Sequence, residues 1–139
     1  MYLEYIDEMT PNEVFDGFIK FNTKVKELGI KVAIGSSSRN AIRIIDKLDL
    51  VLEFHAIVDG GMTPHSKPEP DIFLLAAEKL QIDPSECLVF EDSQAGLTAA
   101  KKANIKSVYY GTEKGLKGAQ ISISSWTEVS IEKLYKLFS

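Results

Sequence analysis

The sequence predicts an α/β fold in which a parallel β-sheet carries helices on both faces, giving three layers. Short apolar runs recur along the chain, helical stretches of about ten residues separate them, and polar residues follow several of the runs. Strands that alternate with helices of this length are joined by right-handed crossovers and form a parallel sheet. No internal repeat and no linker is present, so we expect one domain over residues 1–139.

The first part of the chain predicts a helix, a strand and a second helix. Residues 10–13 have the form of a capping box with Pro11 at the first helical position. Apolar residues then recur at helical spacing up to Gly29, and Gly17 is a point where this helix can break. Residues 31–35 form an apolar run suited to a strand covered on both faces, and a helical pattern follows over residues 39–48.

The same unit then repeats with different sequences. The remaining predicted elements are a strand over 56–59, a helix over 71–80, a strand over 87–90, a helix over 95–103, strands over 107–111 and 120–123, and a terminal amphipathic helix marked by Ile131, Leu134, Tyr135 and Phe138.

Composition excludes several classes of protein. The 139 residues are 45% hydrophobic and 26% charged, which suffices for a hydrophobic core. The net charge is -4 and no basic stripe suited to nucleic-acid phosphates is present. The single cysteine, Cys87, excludes an internal disulfide, and no run of about 18 apolar residues is found. We therefore expect a cytoplasmic protein that binds neither nucleic acid nor membrane.

Candidate functional residues follow the predicted strands, because parallel α/β sheets bind ligands at the carboxyl ends of their strands. Ser36, Ser37 and Ser38 open a helix, where hydroxyl and backbone N–H groups can hold a phosphate. The alternative is an ordinary N-cap serine. Lys67 lies in a proline-rich loop that limits the backbone and can aim the ammonium group into a cleft, although a solvated surface lysine is the alternative.

Glu91 and Asp92 follow directly on four apolar residues. Adjacent carboxylates at the end of a strand offer hard oxygen ligands of the kind that Mg²⁺ prefers, together with water and substrate phosphate. The alternative is an acidic helix N-terminus stabilised by the helix dipole.

Taken in order, these residues resemble the haloacid dehalogenase superfamily of phosphotransferases and phosphatases, in its β-phosphoglucomutase-like branch. The family's second motif is similar to VAIGSSSRN at 32–40, which implies that Ser36 binds the transferring phosphoryl group. Its third is similar to SKPEPDIF at 66–73, which implies that Lys67 neutralises phosphate charge. Its fourth is similar to LVFEDSQAG at 88–96, which implies that Glu91 and Asp92 are the Mg²⁺-side carboxylates. The resemblance implies a three-layer Rossmann-like core.

The family's first motif, an apolar strand that ends in Asp-x-Asp and supplies the nucleophile, is not found. Asp7 has no apolar strand before it, and Asp59 follows a strand that aligns with the edge strand and has Gly61 where the second Asp should be. The helical cap domain is absent as well, and we interpret residues 1–9 as a remnant of its connection. The chain therefore resembles the C-terminal part of a core domain.

The resemblance implies that the missing strand lies at the centre of the sheet, between residues 31–35 and 87–90. Those two strands then pair directly, or residues 2–6 or a partner chain fill the position, since each unpaired backbone group in a buried sheet costs about 1–3 kcal/mol. A homodimer and a complementing N-terminal fragment are the partners that this suggests.

The leading functional hypothesis is a Mg²⁺-dependent phosphotransferase or phosphatase for a small phosphorylated metabolite, a sugar phosphate, that is inactive as this isolated chain. In the mechanism that the resemblance implies, Lys67 and Ser36 serve catalysis, while Ser36, Ser37 and Lys67 bind phosphate. The alternative is a non-catalytic module that binds phosphate or a partner protein. A receiver-like domain is a third reading, but the order of the serine, lysine and carboxylates disfavours it.

Overall fold

In the computed structural model, parallel strands alternate with helices, as the α/β prediction requires. The structure describes residues 12–37, 43, 46 and 54–138. The elements are α1 (Asn12–Glu27), β1 (Ala33–Gly35), β2 (Ala56–Val58), α2 (Asp71–Leu80), β3 (Leu88–Glu91), α3 (Gln94–Lys102), β4 (Lys106–Tyr110), β5 (Ile121–Ile123) and α4 (Ile131–Lys136), with short 3-10 helices at Pro84–Glu86 and Trp126–Glu128.

The strands form two parallel sheets. β1 pairs with β2 in the register Ala33 to Ala56, while β4 lies between β3 and β5. Within the described part of the chain, β1 and β3 belong to different sheets, so the alternative in which they pair directly is wrong. No described strand lies between β1 and β3. Residues 2–6, one of the candidates for that position, lie outside the described residues.

Two hydrophobic cores cover opposite faces of the strands and define the three layers. Alternate residues of one strand point to opposite faces, and β3 shows this directly: Leu88 and Phe90 belong to one core, Val89 to the other. Helices α1 and α4 cover the first face, and α2 and α3 cover the second. Both cores also contain residues of β1, so the two sheets share the same layers.

The first core is built around Trp126. Its ring centroid lies 5.5 Å from that of Phe18, 5.4 Å from Phe21, 5.2 Å from Phe90 and 4.9 Å from Tyr110. These rings join α1, β3 and β4 through one side chain from near the end of the chain. Ring contacts at such distances add to the free energy gained by burying apolar area.

Helix α1 continues through Gly17, so the break considered at that residue does not occur. A Cβ atom at position 17 would lie 3.3 Å from the Cβ of Trp126. Glycine therefore serves close packing against Trp126 here rather than helix termination. The helix ends before Gly29, whose φ of 76° is the left-handed conformation that glycine favours after a helix.

Two predicted features fall on parts of the chain outside the described residues. The cap expected at Thr10 and Pro11 lies outside the described residues. So does the helix predicted over residues 39–48, apart from Arg43 and Asp46, which are both helical. Among the helices that the structure describes, none has the length and apolar character that crossing a membrane requires.

Candidate active site

Ser36 lies directly after β1 and is almost completely buried. Its N–H donates to the carbonyl of Val58 at 2.9 Å, which continues the ladder between β1 and β2 by one residue. Ser37 is exposed, and Ser38 lies outside the described residues. The first two serines predicted to bind phosphate therefore occupy the carboxyl end of β1.

A close backbone contact joins the loops that follow β1 and β2. A Cβ atom at Gly60 would overlap the carbonyl of Ser37, so only glycine fits at this position. The neighbouring Asp59 accepts a hydrogen bond from the N–H of Gly61 at 2.9 Å, which is a local turn. Asp59 follows β2, which among the described residues pairs with β1 alone, in agreement with the edge-strand position predicted for it.

Lys67 lies in the loop between β2 and α2, where it precedes Pro68 through a cis peptide bond. Its side chain is only 11% exposed, so the alternative of a solvated surface lysine does not describe it. The Nζ atom lies 2.9 Å from Oε2 of Glu91 and 5.2 Å from the centroid of the Phe73 ring. The structure therefore brings Lys67 to the end of β3, across 24 positions of sequence.

Glu91 is the last residue of β3, and its side chain is 4% exposed. Oε2 accepts from Lys67, while Oε1 accepts from the N–H of Asp92 and the hydroxyl of Ser93, each at 3.1 Å. A buried carboxylate needs such partners, because the loss of hydration otherwise costs several kcal/mol. The structure thus uses both oxygens of Glu91 to hold Lys67 and the start of α3.

The first turn of α3 is shaped around that carboxylate. A Cβ atom at Gly96 would overlap the carboxyl group of Glu91, so the helix approaches Glu91 through a glycine. The Ser93 hydroxyl accepts from the N–H of Gly96 at 3.1 Å and caps the helix. Glu91 and Asp92 precede this cap, and the carboxyl group of Glu91 lies against the first turn of α3. The sequence analysis missed the capping role of Ser93 and the packing role of Gly96, although the spacing Ser-x-x-Gly could have indicated both.

Asp92 is exposed, unlike Glu91. Partial loss of hydration at its carboxyl group, followed by the hydrogen bond and negative charge of Glu91, raises the pKa of Asp92 to about 7. The part of this rise that comes from the negative charge of Glu91 would be relieved by a bound cation. Mg²⁺ commonly takes one or two carboxylates, with water and phosphate completing its shell.

The donor set therefore fits a magnesium ion, with Asp92 as the more accessible ligand and Glu91 beside it. Among the residues that the structure describes, no group of three or more His, Cys, Asp or Glu side chains is placed to hold a metal. Two adjacent carboxylates remain within the range that Mg²⁺ uses. The assignment of Glu91 and Asp92 to a metal stays a prediction.

The structure defines the class as an α/β protein in which a buried lysine–carboxylate pair and an exposed aspartate lie at the ends of parallel strands. Comparison with known proteins then gives the family. The sequence profile of the haloacid dehalogenase-like hydrolases matches residues 1–104. The chain belongs to the haloacid dehalogenase-like hydrolase family, which confirms the resemblance found in the sequence.

Individual relatives are consistent with this. The chain is 35% identical over 135 residues to a β-phosphoglucomutase of Bacillus subtilis, which covers 97% of this chain and 60% of that protein. It is 37% identical over 105 residues to a phosphorylated carbohydrates phosphatase of Thermotoga maritima, covering 69% and 49%. The crystal structure of a β-phosphoglucomutase from Clostridium difficile superposes with a TM-score of 0.81 at 33% identity, covering 88% and 55%. The chain thus spans between about half and 60% of these relatives.

Proposed function

We propose that this chain carries part of the phosphoryl-transfer site of an enzyme that acts on a small phosphorylated metabolite, in particular a sugar phosphate. The observation that carries the proposal is the buried Lys67–Glu91 pair at 2.9 Å, with the exposed Asp92 beside it. The names of the relatives, a β-phosphoglucomutase and a phosphorylated carbohydrates phosphatase, support a sugar phosphate as substrate.

In the proposed mechanism the side chains of this chain bind and neutralise the phosphoryl group. The Lys67 ammonium offsets charge on its oxygens, and Glu91 fixes the position of that ammonium. The hydroxyl of Ser36, and the hydroxyl and backbone of Ser37, supply further hydrogen bonds at the end of β1. Asp92, with Glu91, would hold Mg²⁺, which when bound supplies Lewis-acid stabilisation of phosphoryl charge.

The nucleophilic aspartate is not among the residues that we can assign. We therefore expect the purified chain to hydrolyse p-nitrophenyl phosphate with Mg²⁺ at no more than the background rate, because covalent phosphoryl transfer needs that group. A Mg²⁺-dependent turnover that Lys67→Ala abolishes would contradict this expectation and would reveal another nucleophile.

Ligand binding tests the proposal independently of turnover. We expect glucose 6-phosphate, in the presence of Mg²⁺, to shift amide resonances of Ser36, Ser37 and Lys67 in an NMR titration. Lys67→Ala should abolish these shifts, whereas Lys133→Ala, at an exposed lysine of α4, should leave them unchanged. Shifts that survive Lys67→Ala, or none in the wild type, would reject the proposed site.

A non-catalytic module that binds phosphate or a partner protein is the second candidate, and the missing nucleophile motif favours it. The two candidates differ when the family's first motif is supplied. Addition of a separately expressed N-terminal segment bearing an Asp-x-Asp strand should generate Mg²⁺-dependent phosphatase activity if the scaffold is that of an enzyme. Binding without any gain of activity favours the module.

The same proposal extends to partners and location. A second copy of the chain, or a complementing N-terminal fragment, would supply the backbone hydrogen bonds that β1 and β3 do not exchange in the described structure. We place the protein in the cytoplasm, where small phosphorylated metabolites are found.

A further inference from the structure

The ammonium group of Lys67 has two buried neighbours of different chemistry. Its Nζ atom lies 2.9 Å from Oε2 of Glu91 and 5.2 Å from the centroid of the Phe73 ring, over the face of that ring. A cation within about 6 Å of a ring centroid is attracted by the negative charge of the aromatic face. Because Phe73 and Glu91 are both buried, neither attraction is screened as it would be at the surface.

The backbone on either side of Lys67 is fixed by hydrogen bonds. The N–H of Glu69 donates to the carbonyl of Ser66 at 3.0 Å, which closes a turn around Lys67. The N–H of Phe73 donates to the carbonyl of Pro70 at 3.1 Å, in the first turn of α2. The lysine and the ring that faces its ammonium therefore belong to one continuous, hydrogen-bonded segment of the chain.

Phe73 is held in place by the core under α2 and α3. Its side chain is completely buried and belongs to that core together with Ile72, Ala76 and Val89. A ring in a close-packed interior has little room to move, whereas a lysine has a flexible four-carbon stem. The face of the ring can therefore fix the position of the ammonium.

A ring is suited to this position because it carries no net charge. Glu91 already balances the charge of Lys67, and the adjacent Asp92 adds a second carboxylate. A further carboxylate near Lys67 would also hold the ammonium, but its negative charge would repel an incoming phosphate. The face of Phe73 attracts the ammonium without adding a negative charge to the site.

We propose that Phe73 is a positioning residue for phosphate binding, and that its ring face, together with Glu91, holds the Lys67 ammonium where the ammonium meets the phosphoryl group. This inference rests on the proposed function, in which Lys67 binds phosphate. Leucine at position 73 would fill much of the same space but would not attract the ammonium. The affinity for inorganic phosphate should therefore depend on the electron density of the ring as well as on its size.

The test changes the ring's electron density with little change in its size. Phe73 is replaced by phenylalanine analogues that carry one, two or three fluorine atoms, which withdraw electrons and weaken the attraction to a cation stepwise. The same analogues at Phe18 are the matched control, because Phe18 is also completely buried but packs on Trp126 in the other core. The affinity for inorganic phosphate, in the presence of Mg²⁺, is measured by calorimetric titration.

A second measurement reports on the contact itself. The Hε resonances of Lys67 are followed by NMR in protein with labelled lysine and assigned by their loss in Lys67→Met. Because these hydrogens lie next to the ammonium, the ring current of Phe73 should shift them, and Phe73→Leu should remove that shift. Urea denaturation of each variant verifies that it is folded.

In Phe73→Leu we expect the affinity for phosphate to fall roughly fivefold, because phosphate must then fix the position of the ammonium by itself. The fluorinated rings at position 73 should give a graded loss, up to roughly threefold with three fluorine atoms. The analogues at Phe18 should leave the affinity at the wild-type value.

Three results would overturn the proposal: an affinity that fluorine at Phe73 does not change, an equal loss with fluorine at Phe18, or Hε resonances of Lys67 that do not respond to Phe73→Leu. The first would mean that Phe73 serves packing alone. If the wild type does not bind phosphate, the proposed function fails, and the role of Phe73 in binding fails with it. The Hε resonances would still show whether the ring contacts Lys67.

Discussion

The ammonium of Lys67 lies 2.9 Å from the carboxylate of Glu91, and both side chains are almost fully enclosed. A buried ion pair differs from one on the surface, because each charge has lost its hydration and is stabilised mainly by the opposite charge. Removing one member leaves an uncompensated charge inside the protein, a larger effect than the pair's own net contribution.

Replacement of Lys67 by methionine should therefore lower the free energy of unfolding by about 3 kcal/mol, measured by urea denaturation. The double variant Lys67→Met with Glu91→Gln should be less destabilised than Lys67→Met alone, because it leaves no buried charge. The exposed pair Lys102–Glu69, at the same distance of 2.9 Å, is the matched control, and Lys102→Ala should cost less than about 1 kcal/mol. Equal effects at the two lysines would contradict the distinction.

Gly96→Ala should destabilise the protein by about 1–3 kcal/mol, because the new Cβ overlaps the carboxyl group of Glu91. A loss of stability would identify the clash, because replacing glycine by alanine inside a helix ordinarily raises the free energy of unfolding by about 0.5–1 kcal/mol. Ala95→Gly, at an exposed position of the same turn, should lower the free energy of unfolding only through the lower helix propensity of glycine. A more stable Gly96→Ala variant would mean that the helix does not approach Glu91 as described.

Stability should fall at alkaline pH because of Cys87. Burial raises the pKa of its thiol to about 11. In the unfolded chain a thiol ionises from about pH 8.5, so between there and pH 11 the unfolded state holds fewer protons and is increasingly favoured. The expected loss of folding free energy is about 3 kcal/mol by pH 11. The free energy of unfolding of the wild type and of Cys87→Ala is measured by urea denaturation between about pH 8.5 and 11. The same dependence on pH in both proteins would contradict the prediction.

Binding of Mg²⁺ by the chain alone should be weak, roughly millimolar, because two carboxylates remain without further assigned protein ligands. Side-chain resonances of Glu91 and Asp92 should shift during a Mg²⁺ titration, and Asp92→Asn should remove the shifts. Asp59→Asn, directly after β2 in the other sheet, should leave them intact. Shifts centred on Asp59 instead would move the metal site.

We also expect association or marginal stability. β1 and β3 each lie buried with no ladder between them in the described structure, and proteins ordinarily cover such edges. Light scattering should report a dimer, or the melting temperature should rise with protein concentration. A monomer whose high melting temperature does not change with concentration would contradict the expectation.

The sequence predicted a helix or strand well where the signals for its start, end and periodicity lie within the segment itself. Helix α2 occupies residues 71–80 as expected, because prolines precede it and its apolar residues recur at helical spacing. β3 is shifted by one residue, to Leu88–Glu91, which places Glu91 inside the strand rather than after it. Boundaries of this kind depend on pairing with β4, which a single segment does not show.

The site was predictable as a set of residues but not as a set of contacts. The sequence indicated Ser36, Lys67, Glu91 and Asp92, each at the end of a strand or before a helix. It did not indicate that Glu91 holds Lys67, since these residues are separated by 24 positions and each had a plausible role towards a ligand. The interpretation of Gly17 was wrong for a similar reason: its partner, Trp126, is more than 100 positions away in the sequence.

The two cores differ in the length of the loops that their contacts close. Apart from Ala33 and Val58, the core under α2 and α3 consists of residues between 72 and 105, so its contacts close short loops and can form early. The opposite core needs Phe18 and Phe21 to meet Trp126, which closes a loop of more than 100 residues. During synthesis the aromatic face of α1 lacks its contacts with Trp126 until residue 126 has been made. Until then this apolar face has fewer partners, and exposed apolar surface of that kind favours aggregation of a nascent protein.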